Sequence, residues 1–68
     1  MDDEPIFTIR AKDALAPSAV EAWAAFADIA ADAAGLDHLH EQANEARIIA
    51  ITMRQWQRAN PDRVRWPD

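Results

Sequence analysis

The chain is 68 residues long, half apolar, free of cysteine and carries a net charge of −5. So short a chain forms one small domain, here residues 1–68, with a thin margin of stability. Neither disulfides nor thiolate-held zinc can reinforce it, its acidity argues against nonspecific binding to nucleic acid or anionic membrane, and no run reaches the ~18–20 apolar residues of a membrane span.

Residues 1–4 open the chain as an acidic tail without the basic start of a secretion signal, so the expected location is the cytoplasm. Residues 5–10 alternate, with Phe7 and Ile9 on one side and Thr8 and Arg10 on the other, which predicts an extended arm or short strand. One strand cannot stand alone. Its expected partner is either the alternating tail Arg63, Val64, Arg65 and Trp66 or a second copy of the protein. The arm and its connector fill residues 1–16.

A first helix is predicted over 17–35. It opens either with Pro17 in the first turn or with Ser18 and Glu21 as a capping box, and it closes at Gly35, the only glycine. Val20, Trp23, Ala27, Ala30, Ala31 and Ala34 define its buried face, widened by Phe26 and Ile29. The narrow polar strip left over holds Glu21, Asp28 and Asp32, within roughly 40° of one another around the axis. Since alanine buries little area, the three tryptophans and two phenylalanines are expected to carry much of the burial.

A second helix is predicted over 37–60, with Asp37 as its cap and Glu41 in its first turn. At about 100° per residue, Leu39, Ala43, Ala46, Ile49, Ala50, Met53 and Trp56 share one face. Asn60 and Pro61 stop it, and residues 61–68 form a tail. About three residues separate the helices, so they must fold back on each other. The fold class is therefore mainly α: an antiparallel two-helix hairpin with an N-terminal extended arm or short strand, completed by dimerisation. Ile48 and Ile51 lie off the buried face. Either the arm covers them or they form a two-fold contact between second helices, so they are the candidate self-association residues.

Between Asp13 and Ala46 stand seven acids and no lysine or arginine, whereas from Arg47 onward five arginines face Asp62 and Asp68. The acidic block is either a solvated face or a surface complementary to a basic partner. In the second case Glu21, Asp28, Asp32, Asp37, Glu41 and Glu45 are the candidate partner-binding residues. The arginines at 54, 58, 63 and 65, with Trp56 and Trp66, superficially resemble a nucleic-acid patch; pairing with acids of the first helix is the plainer reading.

No catalytic residues, cofactor or metal ligands are assigned. His38 and His40 lie two apart, about 200° around a helix, and cannot face one ion. Ser18 is the only serine, and a single glycine cannot make a phosphate loop.

The segment from Glu4 through Pro5, Ile6, Phe7, Thr8, Ile9, Arg10, Ala11 and Lys12 to Asp13, then Ala16 and Pro17 before a tryptophan-bearing helix, resembles small uncharacterised phage and prophage proteins. The closing Trp66, Pro67 and Asp68 is similar to their proline–aspartate endings. The resemblance implies a small mobile-element protein acting inside a bacterium. Small acidic phage proteins commonly occupy a basic surface of a host protein, and anti-CRISPR inhibitors are one such group. The resulting expectation is a non-enzymatic inhibitor of a host factor. The alternatives are a self-associating structural or regulatory module and, more weakly, a DNA-binding regulator using the C-terminal arginines.

Overall fold

The computed structural model describes residues 9–67. Helix α1 spans Ala16–Ala34 and helix α2 spans His38–Ala59; a 3-10 turn, Pro61–Arg63, follows. The two long helices pack against each other as the expected hairpin.

Local chemistry sets each boundary. Pro17 stands in the first turn of α1, where its missing N–H costs nothing. The alternative start is not used: Leu15 occupies the cap position and no side chain bonds there. Gly35 ends α1 with φ +67°, a left-handed conformation that glycine adopts without steric penalty, and its N–H donates to the Ala31 carbonyl. Asp37 occupies the cap position of α2 as expected, yet its side chain makes no capping bond because its own backbone is already helical. At the far end Asn60 donates from its amide to the Trp56 carbonyl at 2.9 Å before Pro61 stops the helix.

The seam between the helices is alanine. Ala24, Ala27, Ala43 and Ala46 form its centre with Val20 packed beside them, and Ala31 and Ala50 are buried as well. No large side chain among the described residues is fully buried. This overturns the expectation that aromatic side chains carry the burial. Phe26 is 71% exposed, Ile29 63% and Trp23 50%, and Ile49 also lies exposed on α2. Methyl-lined helices approach so closely that bulky neighbours are displaced to the flanks of the seam. Leu39, Met53 and Trp56 stay half-buried there, whereas Ala30 and Ala34 face outward.

The tail finds its partner in the connector. Arg65 donates its N–H to the Lys12 carbonyl at 2.7 Å, and Ala14 donates to the Arg65 carbonyl at 2.8 Å, forming one parallel bridge between Asp13 and Arg65. Gln57 of α2 fastens this strap by donating its side-chain amide to the carbonyls of Ala11 and Asp13, both at 2.9 Å. Of the arm predicted over 5–10 only Ile9 and Arg10 belong to the described residues, and neither is a strand; Phe7 and the rest lie outside them.

Candidate interaction surface

The three carboxylates of the α1 polar strip all bond to side chains of α2, although Asp32 stays mostly exposed. Arg54 grips Glu21 with both ends of its guanidinium, at 2.8 and 2.5 Å. Arg47 pairs with one oxygen of Asp28 and also donates to the Asn44 side chain at 3.2 Å. His40 donates from Nδ1 to the other oxygen of Asp28 at 2.7 Å and from Nε2 to Asp32 at 3.0 Å. Arginines of α2 thus neutralise Glu21 and Asp28, and of the four arginines at 54, 58, 63 and 65 it is Arg54 that pairs with an acid of the first helix. Helix periodicity reveals the strip but not which flank of the neighbouring helix will lie beside it.

Charge states follow from this geometry. The bidentate bond from Arg54 holds the Glu21 carboxyl below its usual range and raises the Arg54 guanidinium. Asp28 is lowered first by its bond from Arg47 and then by His40. His40 is raised chiefly by its bond to Asp28, with Asp32 adding to the effect. Carboxylates only accept, so an imidazole with a carboxylate oxygen on each nitrogen is satisfied fully as the imidazolium.

A group with a raised folded pKa stabilises fully below its unfolded value and loses that contribution as pH rises through the folded one. Asp28 and Glu21, both lowered, contribute above their ordinary values and lose the contribution as pH falls through the depressed ones. The thermal midpoint should therefore be higher at about pH 5.5 than at about pH 8.5. His40→Gln should flatten that difference; an unchanged slope in the variant would show that another group is responsible.

The other candidate acids form a second group. Asp37, Glu41 and Glu45 are exposed at the turn end of the hairpin, next to the mostly exposed Asp32. At the opposite end Arg10, Lys12, Arg58, Arg63 and Arg65 gather with Asp13 and Asp62. The asymmetry along the sequence thus becomes a polarity along the long axis of the molecule. The C-terminal arginines are also tied locally. Arg63 lies over the Trp56 ring, 5.2 Å from its centroid, and Arg65 donates to the carbonyls of Asp62 and Val64.

Three apolar features complete the surface. Ile48 and Ile51 are 63% and 54% exposed on α2. A groove of about 400 Å³ lies near the strap, lined chiefly by Leu15, Ala16, Ala19 and Trp66. The larger feature, which the sequence reading missed, is the outside of α1. Besides the three paired carboxylates, Ser18 is the only polar side chain of that helix. A single neighbour covers only part of so broad an apolar circumference. The signal for it was present: a helix apolar nearly all round is one that is covered on more than one side.

No helix among the described residues is long and apolar enough to cross a membrane. They contain no group of three or more histidine or carboxylate side chains arranged to hold a metal ion. No protein-family model, curated protein or solved structure matches the chain.

Proposed function

We propose that the protein is a small interaction protein that inhibits a host factor by occupying a basic surface on it, in the manner of phage-encoded inhibitors of bacterial defence complexes. The observation that carries this reading is the polarised charge layout, with Asp37, Glu41 and Glu45 exposed at the turn end. Acidic side chains grouped on a rigid helix end steer a basic partner and set its orientation. The resemblance of the N-terminal third to phage and prophage proteins supplies the context, the cytoplasm of a bacterial host. Glu21, Asp28 and Asp32 then hold the hairpin in shape, and Asp32 alone of the three keeps most of its surface available. Action is by surface contact, without catalysis or a cofactor.

The test is capture from host lysate with wild type and with a variant carrying Asp37→Lys, Glu41→Lys and Glu45→Lys. The reading expects a basic protein that wild type retains and the variant releases, with retention falling as salt rises. Equal capture by both proteins, insensitive to salt, would overturn it.

A second reading, a self-associating module without inhibitory action, is favoured by the exposure of Ile48 and Ile51 on α2. There, Ile51→Asp should turn a dimer into a monomer by stranding a charge in an apolar contact.

A further inference from the structure

The outside of α1 is the largest feature that the hairpin leaves unexplained. Starting from the buried line through Val20, Ala24, Ala27 and Ala31, the carboxylates lie on one flank. At about 100° per residue, the opposite flank and the back of α1 hold Trp23, Phe26, Ile29, Ala22, Ala30 and Ala33. The matching flank of α2, away from Arg47 and Arg54, adds Ile49 and Met53. The result is one apolar band running along α1 and the C-terminal half of α2 on the side opposite the ion pairs; nearer the turn the same flank of α2 carries His38, Gln42 and Glu45.

We infer that this band is a homodimer interface, covered by the same band of a second copy lying antiparallel to the first. Three observations select that occupant. First, the α1 part of the band carries no charge, all three α1 carboxylates are paired on the far flank, and Glu45 stands at the turn end of the α2 flank, so two copies can meet across α1 without burying an ion.

Second, the charge layout selects the direction. Side by side and parallel, two copies would bring acidic turn ends together and cationic strap ends together. A two-fold axis across the rod instead sets the turn end, with Asp37 and Glu41, beside the end with Arg58 and Arg65 of its mate. With a screening length of about 8 Å, adjacent ends dominate over distant ones.

Third, the area suffices. The 19 residues of α1 span about 28 Å. With the flank of α2 the band is ~20 Å across, given helix axes ~8–10 Å apart. Each copy thus offers on the order of 600 Å², and the pair on the order of 1,200 Å², where specific interfaces begin.

An axis near Phe26 gives a register in which large apolar side chains meet large ones and small meet small. Phe26 meets its own copy, Trp23 lies opposite Ile29, and Ala22 lies opposite Ala30. The Trp23–Ile29 and Ala22–Ala30 pairs occur twice and the Phe26 self-contact once, on the axis, as an isologous contact requires. The assembled molecule is a four-helix bundle in which the outer faces of both α2 helices stay free. The interface therefore lies on α1 and leaves Ile48 and Ile51 outside it. It does not depend on the inhibitory reading, since mass and capture are read separately.

Sedimentation equilibrium tests the interface directly. Wild type should have twice the 7.6 kDa chain mass at micromolar concentration. Phe26→Asp should return the mass of one chain with its helical circular dichroism retained, because Phe26 is exposed within the hairpin. Ile48→Asp should remain dimeric. A monomeric wild type at hundreds of micromolar would overturn the inference, including the case in which an unlike apolar protein covers the band. Dimerisation lost with Ile48→Asp but kept with Phe26→Asp would overturn it too.

Direction has a test that needs no disruption of the band. The chain has no cysteine, so Ala22→Cys and Ala30→Cys each introduce one thiol. On oxidation the antiparallel register expects a disulfide when the two variants are mixed and little when either is alone. Self-cross-linking of each variant alone would mean a parallel pair and overturn the arrangement.

Discussion

Ala43→Leu should cost about 1–3 kcal/mol of folding stability, the range for overpacking a closed seam. Ala43 is wholly buried where α1 and α2 meet, and the added carbon atoms have no space unless the helices part. Parting them stretches the pairs from Arg54 to Glu21 and from Arg47 to Asp28, so the packing and polar contributions fall together. A loss of that size is a large share of the ~5 kcal/mol found at the low end for native domains. The urea midpoint should drop with little change in slope. Ala25→Leu is the control: it places the same side chain on an exposed position of α1, where about 0.5 kcal/mol in either direction is expected. Equal losses from both variants would mean that helix propensity, and not the closeness of the seam, governs the effect.

Gln57→Met should release the strap. Its side-chain amide is the donor to the Ala11 and Asp13 carbonyls, and methionine keeps the length while removing both bonds. Two hydrogen bonds at about 0.5–1.5 kcal/mol each give an expected loss of about 1–3 kcal/mol. The loss should be local. The amides of Ala14 and Arg65, which bond across the strap, should exchange with solvent much faster, while amides near Ala46 in the middle of α2 keep their protection. Uniform acceleration along the chain would instead mean that strap and hairpin open as one unit.

Much of the hairpin is legible in the residues. A lone glycine between two helical patterns, and an Asn–Pro pair after the second, mark the ends because one frees the backbone and the other removes a donor. The alanines at 27, 31, 43, 46 and 50 mark the seam for the same reason: small side chains at helical spacing permit close approach. What failed was the inference from face to burial. Periodicity shows that Trp23, Phe26 and Ile49 lie toward an apolar side, but the neighbour's width decides whether they are covered. A helix lined with alanine is a narrow neighbour.

The polar flank was partly legible as well. Glu21 and Asp28 stand seven residues apart, as do His40, Arg47 and Arg54. In an antiparallel pair those equal steps bring acids and cations to matching levels. Reading each helix alone concealed the match, since charge pairing belongs to the register between them. The bridge from Asp13 to Arg65 had less to announce it. It uses backbone groups of two short irregular segments, and only the alternation of the tail hinted that the tail would pair at all.

The strap also fixes an order of assembly. The two helices are joined by a turn of three residues, whereas the strap joins positions about fifty residues apart. Closing the longer loop in an unfolded chain costs about 2.5 kcal/mol more, since the cost grows with the logarithm of length. Once the hairpin has formed, its rigid rods carry the two segments most of the way together and the remaining search is short. Nucleation at the turn and late docking of the ends is therefore the cheaper route, and the ends should be the first part to come loose on the way back.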